Sequence, residues 1–249
     1  MNLIIDIGNT CTKLVCFDGS TMVECVKVTD GRADATAGFC KKHNFSMGIC
    51  SSVAAEDPDI EKVLDRIPFE VIRFRSGITP VPVTICYKSP LTLGSDRIAA
   101  VVNAAHRSPG KNVLVIDIGT CITYDFLNAS GQYIGGNISP GIEMRLKALE
   151  HFTGRLPLVN AEGALPDMGY DTETAIRCGV ISAVNHEVRG YIEKFLNRYP
   201  DLTVYLTGGG RHSLHDIQRY NAITDDQMVT EGLNIILQYN KDIRTKDIK

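Results

Sequence analysis

Tryptophan is absent from this 249-residue chain, basic residues form no runs, and the apolar stretches are short. The first apolar segment spans about six residues, against the roughly 20 that a membrane helix needs, and no charged region precedes it as in a signal peptide. A membrane role is therefore not expected, and the expected compartment is the cytosol. The formal net charge is −3, which argues against electrostatic capture of nucleic acid or of an anionic membrane. The expected partners are small molecules. No G-x-x-x-x-G-K-[ST], no G-x-G-x-x-G after a strand, no protein-kinase signature and no H-E-x-x-H occurs, so P-loop, dinucleotide and zincin chemistry is disfavoured. The eight cysteines form no C-x-x-C pair and have no histidine partner at zinc spacing, and the six histidines are scattered. Most of the cysteines read as small buried hydrophobes in a reducing compartment, with Cys11 and Cys121 set apart only by lying in two repeated turns.

What is present is a repeat. Ile4 to Lys13 reads IIDIGNTCTK and Val115 to Tyr124 reads VIDIGTCITY, each with an aspartate near the end of an apolar run. Each copy reads as strand, tight turn, strand: Leu3 to Ile7 and Leu14 to Phe17 in the first, Val113 to Ile118 and Ile122 to Phe126 in the second. Gly8 and Gly119 let the backbone bend and approach an anion, with Asn9, Thr10 and Thr120 as further donors. A carboxylate in an apolar strand is costly unless a cation, water or several donors compensate it. Asp6 and Asp117 therefore mark either two ordinary hairpins or a nucleotide-phosphate site, and the repetition favours the second.

With 44% hydrophobic residues the chain can bury a substantial core, in one large or two small domains. After the first hairpin come a β-like run at Val23 to Val28, a helix at Ala33 to His43, an apolar run at Phe45 to Cys50, a helix at Asp57 to Ile67, and strands at Phe69 to Phe74 and Val81 to Cys86. Ser95 is an N-cap for a helix carrying Ile98, Val101, Val102 and Ala105. Ser108-Pro109-Gly110 then sets a boundary between residues 1–109 and 110–249. The second half continues with a strand near Gln132 to Asn137, helices at Gly141 to Phe152 and Thr172 to Tyr199, a strand at Val204 to Thr207, and a last helix at Asp226 to Tyr239. This is an α/β layered organisation in each half.

Three further clusters each carry two readings. Gly94-Ser95-Asp96-Arg97 opens a helix, where amides and the helix dipole attract anions, or it simply caps that helix. Gly135 to Gly141 cradles phosphate or makes a tight turn. Gly208-Gly209-Gly210 admits a flat base against bare backbone or is an unliganded loop. Tyr87, after a β-like run, contacts a ligand or packs.

Taken together, the D-x-G-N-T and D-x-G-T turns, Y-x-x-P-x-x-L-G-x-D-R from Tyr87 to Arg97, G-G-x-I-x-P-G and T-G-G resemble type III pantothenate kinases, over roughly Asn2 to Leu237. The turns and T-G-G occur across the wider actin, sugar-kinase and heat-shock ATPase superfamily, whereas the Tyr87 to Arg97 stretch is the specific one. The resemblance implies an α/β fold of two ribonuclease-H-like domains with a nucleotide cleft between them, the last helix being able to pack back on the first. It implies ATP-dependent phosphorylation of pantothenate on its primary hydroxyl to 4'-phosphopantothenate, the first step of coenzyme A biosynthesis, by a cytoplasmic homodimer. By the same resemblance Asp6, Ile7, Gly8, Asn9, Thr10, Cys11, Thr12 and Lys13 form the ATP phosphate loop, with Asp6 meeting Mg²⁺ through phosphate. Asp96 matches the general base, and Tyr87, Gly94, Ser95, Asp96, Arg97 and Thr172 match pantothenate contacts. Asp117 matches the ligand of a monovalent cation, K⁺ or NH₄⁺, and Thr120 an ATP contact. Cys121 stands where the family usually has alanine, and the match around Thr172 is looser. Two alternatives stand beside this: a superfamily kinase with another hydroxyl acceptor, and a regulatory nucleotide-binding paralogue without turnover.

Overall fold

The computed structural model describes residues 1–54, 57–215 and 217–247. Its contacts divide the chain into two units, one comprising residues 1–109, 131–134 and 227–249, the other residues 110–130 and 135–226.

The first unit begins with β1 (Asn2–Ile7), β2 (Thr12–Asp18) and β3 (Thr21–Val28), then α1 (Arg32–Lys42), β4 (Met47–Ser52), α2 (Pro58–Leu64), β5 (Val71–Arg73), β6 (Thr84–Ile85) and α3 (Ser95–Arg107). Its sheet has the order β3-β2-β1-β4-β5, with β1 antiparallel to β2 and parallel to β4. As the central strand, β1 is apolar at nearly every position, and every residue but Asp6 is buried, as a strand covered on both faces requires. Leu3, Ile5, Ile7, Leu14, Cys16, Phe39, Ile60 and Leu64 form one core.

The second unit contains β7 (Val113–Ile118), β8 (Cys121–Leu127), most of β9 (Gln132–Pro140), α4 (Ile142–His151), α5 (Thr172–Arg198), β10 (Thr203–Thr207) and β11 (Ile223–Thr224). Its strands run β11-β10-β7-β8-β9, the same order as β5-β4-β1-β2-β3. α5 buries Ile176, Val180, Ile181, Val184, Val188 and Ile192 against Leu114, Ile116 and Ile122. It starts with a capping box in which Asp171 and Thr174 satisfy each other's backbone amides.

α6 (Met228–Asp247) belongs to the first unit. It crosses α3 closely: a Cβ on Gly232 would lie 1.9 Å from the Ala99 carbonyl oxygen. Asn103 Nδ2 donates to the Met228 carbonyl (3.2 Å) and to Glu231 (3.0 Å), and Asn2 Nδ2 donates to Asn234 (2.8 Å).

Some elements differ from their sequence reading. The strand expected at Val81 to Cys86 pairs over only Thr84 and Ile85, against Gln132 and Tyr133; Pro82, inside the expected run, supplies no ladder amide. α6 continues past Tyr239, where Asn240 donates to the Pro80 carbonyl and Arg244 pairs with Glu70. Ser95 is not an N-cap. Gly94 holds that position, and the buried Ser95 hydroxyl accepts instead from Ser51 (2.7 Å).

Candidate active site

In the first unit the sheet delivers Asp6 to the end of β1, directly opposite Lys13 on β2 and Ser51 on β4. Ser51 holds Ser95, so the start of α3, with Asp96 and Arg97, is tied to the strand neighbouring Asp6. Loss of water around the half-buried Asp6 pushes its carboxyl up to about 6; Lys13 draws it down and Asp96 pushes it up. Two carboxylates thus repel at the mouth of the strand, with one lysine beside them. Asp96 Oδ1 accepts the Arg97 amide (2.8 Å), and a Cβ on Gly94 would lie 2.5 Å from that oxygen, so a larger residue there would push the carboxylate aside.

Arg97 is buried. Its guanidinium donates to the Tyr133 hydroxyl (2.9 Å) and stands 6.0 Å from the centre of the Tyr87 ring, whose centre is 6.1 Å from that of Tyr133. Tyr133 escaped the sequence reading, because only the short β6–β9 pairing brings residues 97 and 133 together. The motif residues Tyr87, Gly94, Ser95, Asp96 and Arg97 all lie in this unit with the Asp6 turn.

The turn itself departs from expectation in one respect. The Gly8 amide donates to the Cys11 carbonyl (3.0 Å) and the Gly119 amide to the Cys121 carbonyl (2.9 Å), so both close their hairpins instead of facing an anion. Asn9 and Thr10 form the exposed tip. Ile7 and Thr12 are buried, opposite each other, while Cys11 is half-buried. Any contact Ile7 or Thr12 makes with nucleotide would run through the backbone.

The second hairpin is one residue shorter. Asp117 therefore faces Thr123 where Asp6 faces Lys13, and the repeat is chemically unequal. Gly208, at φ 85, passes close to Asp117: a Cβ there would lie 2.4 Å from Asp117 Oδ1 and from the Ile118 carbonyl oxygen. Glycine is the residue that tolerates both the angle and the approach. On the other side Gly141 donates its amide to the Thr120 carbonyl (3.0 Å), and a Cβ on it would lie 2.2 Å from the Gly119 carbonyl oxygen. The glycine-rich segment Gly135 to Gly141 is not a tight turn; β9 runs through Pro140, and Gly141 alone precedes α4. Thr172 lies elsewhere in the second unit, exposed at the start of α5, on the wall of a groove of about 750 Å³ beside Leu149, Phe152, Ile176 and Val180. Among the described residues no group of three or more His, Cys, Asp or Glu side chains is placed to hold a metal, and no helix is long and apolar enough to cross a membrane.

The profile of the type III pantothenate kinase family matches residues 2–194. A type III pantothenate kinase from Bacteroides fragilis is 49% identical over 240 residues, covering 96% of this chain and 98% of the relative. Among solved structures, a protein described as a Baf family transcriptional activator from Campylobacter jejuni superimposes with a TM-score of 0.63 at 21% identity, over 96% of this chain and 99% of its own. One described as an N-acetylmannosamine kinase from Listeria monocytogenes reaches 0.56 at 12% identity, over 96% and 99%. At these identities the two structures speak for the fold alone, which is that of the actin-like ATPases and sugar kinases. The sequence match and the Tyr87 to Arg97 motif together carry the rest: this chain belongs to the type III pantothenate kinase family, ATP-dependent enzymes that phosphorylate pantothenate in coenzyme A biosynthesis.

Proposed function

We propose that Asp96 is the general base of this kinase and that Asp6, with the loop from Ile7 to Lys13, receives the ATP phosphates. The observation that carries this is geometric: Asp6 stands opposite Lys13 and Ser51, and Ser51 holds Ser95 at the start of α3, next to Asp96, an arrangement that favours a cation and a phosphate together. A single strand-end carboxylate suits Mg²⁺, which takes one or two carboxylates and fills its other positions with water and phosphate oxygens. When bound, Mg²⁺ neutralises phosphate charge. Lys13 adds positive charge to the transferring group, and Asp96 accepts the hydroxyl proton late, since phosphoryl transfer through a loose transition state depends mainly on alignment and charge. Tyr87, Gly94 and Ser95 line the acceptor side, and Arg97 answers the pantothenate carboxylate.

In the second unit, Asp117 is the ligand of a monovalent cation, K⁺ or NH₄⁺, and Thr120 an ATP contact. The glycines packed around that turn, Gly141 and Gly208, support a backbone-lined oxygen site of the kind a large monovalent ion accepts. Thr172 contributes to pantothenate binding. The enzyme acts as a cytoplasmic homodimer without a nucleic-acid or membrane partner. The exposed groove between α4 and α5, with Phe152 82% exposed, is the face that fits a second copy.

The test is a coupled assay of ADP release with pantothenate, Mg²⁺ and ATP, in potassium and in sodium alone, with sugars as alternative acceptors. Pantothenate-dependent turnover that requires potassium is the expected result. Turnover indifferent to the cation removes Asp117's role, and hydrolysis without an acceptor removes Asp96's.

A further inference from the structure

We propose that Tyr133 is a positioning residue for pantothenate, acting through Arg97. The inference rests on the reading of Arg97 as the partner of the substrate carboxylate. Arginine carries a planar fork of five N–H donors on a long flexible stem, and its use against a carboxylate depends on the plane of that fork being fixed in advance. Two neighbours stand against it here. The Tyr133 hydroxyl accepts from Nη2 at 2.9 Å, and the Tyr87 ring lies 6.0 Å from the guanidinium carbon.

Tyr133 is itself immobilised. It is fully buried, its carbonyl accepts the Cys86 amide (2.9 Å), and it stands opposite Ile85 in the β6–β9 pairing. That pairing is only two residues long, so its position next to Tyr87 gives it a use beyond sheet extension. It docks the segment leading into Tyr87 beside the residue that orients Arg97. A buried tyrosine whose hydroxyl meets a charged donor makes a stronger hydrogen bond than a neutral pair, and losing it removes one of the bonds that orient the guanidinium. The cost then falls on recognition of the carboxylate and not on phosphoryl transfer, because the Asp96 bond to the Arg97 backbone amide does not involve Tyr133.

Tyr133→Phe keeps the ring and removes only the hydroxyl. Steady-state kinetics should show KM for pantothenate raised roughly tenfold, with kcat and KM for ATP within about twofold. Pantothenyl alcohol, in which CH₂OH replaces the carboxylate, should be phosphorylated with the same KM by wild type and variant. Arg97→Lys, which keeps the charge but loses the fork, should raise KM for pantothenate by itself, and the double variant should fall short of the product of the two effects. An unchanged pantothenate KM in Tyr133→Phe, with a raised one in Arg97→Lys, overturns the proposal and leaves the Arg97 reading standing. An unchanged KM in Arg97→Lys overturns that reading and the proposal with it. Equal penalties on pantothenate and its alcohol, together with a lowered melting temperature, reduce Tyr133 to a packing residue and also overturn the proposal.

Discussion

At the scale of residues, Asp6 sits near the end of a buried central strand with Lys13 opposite it. Its carboxyl titrates at about 6 instead of the usual 3.8, chiefly through loss of water. Between those values the folded protein holds a proton that the unfolded chain has released, so the contribution of Asp6 to stability falls as pH rises from 4 to 6 and stays low above. Asp6→Asn should therefore raise the melting temperature of the ligand-free protein above pH 6 and make no difference near pH 4; scanning calorimetry across that range checks the sign. The kcat/KM for ATP, which reports the free enzyme and needs the ionised carboxylate, should decline in the wild type as pH drops through 6. Asp96→Asn should lower kcat by about a hundredfold or more while leaving ATP affinity by titration calorimetry within about twofold of the wild type. The positions of Asp6 on a strand and of Asp96 and Arg97 at a helix start were legible from sequence, because a charged residue in an apolar strand or at a helix start stands out. Tyr133 was not, since an aromatic in a β-like run looks like core and its partner comes from strand register.

At the scale of elements, the contact between α3 and α6 depends on Gly232. A methyl there would overlap the Ala99 carbonyl, so Gly232→Ala should cost about 3 kcal/mol, read as a lower urea midpoint at unchanged slope. Helix positions were legible from period and punctuation: α3 spans Ser95 to Arg107 as its apolar spacing indicated, and α5 ends one residue before expectation. The misreadings have local causes. Ser95 looks like a cap in sequence, yet the buried Ser51 competes for its hydroxyl. β6 looked like a six-residue strand, but Pro82 interrupts the run and the ladder forms over Thr84 and Ile85 alone. The polar continuation of α6 beyond Tyr239 is fixed by Asn240 and Arg244, contacts that hydrophobic period does not register. The unequal length of the two hairpins was visible in the aligned repeats, but its effect, Thr123 in place of a lysine opposite Asp117, needed the register.

At the scale of the whole molecule, the groove on the second unit predicts self-association. Light scattering should give a dimer for the wild type, and Phe152→Ser, which removes the most exposed large aromatic side chain of the groove, should shift the mass toward the monomer. The division of the chain also orders its birth on the ribosome. The first unit's sheet is synthesised at once, but α6, which covers α3 and bonds Asn2, is made only from Met228 onward. The second unit, residues 110–130 and 135–226, is synthesised in full before that. The half translated first is thus the half finished last, and until its closing helix arrives the face of α3 around Ala99 and Asn103 has no cover from α6.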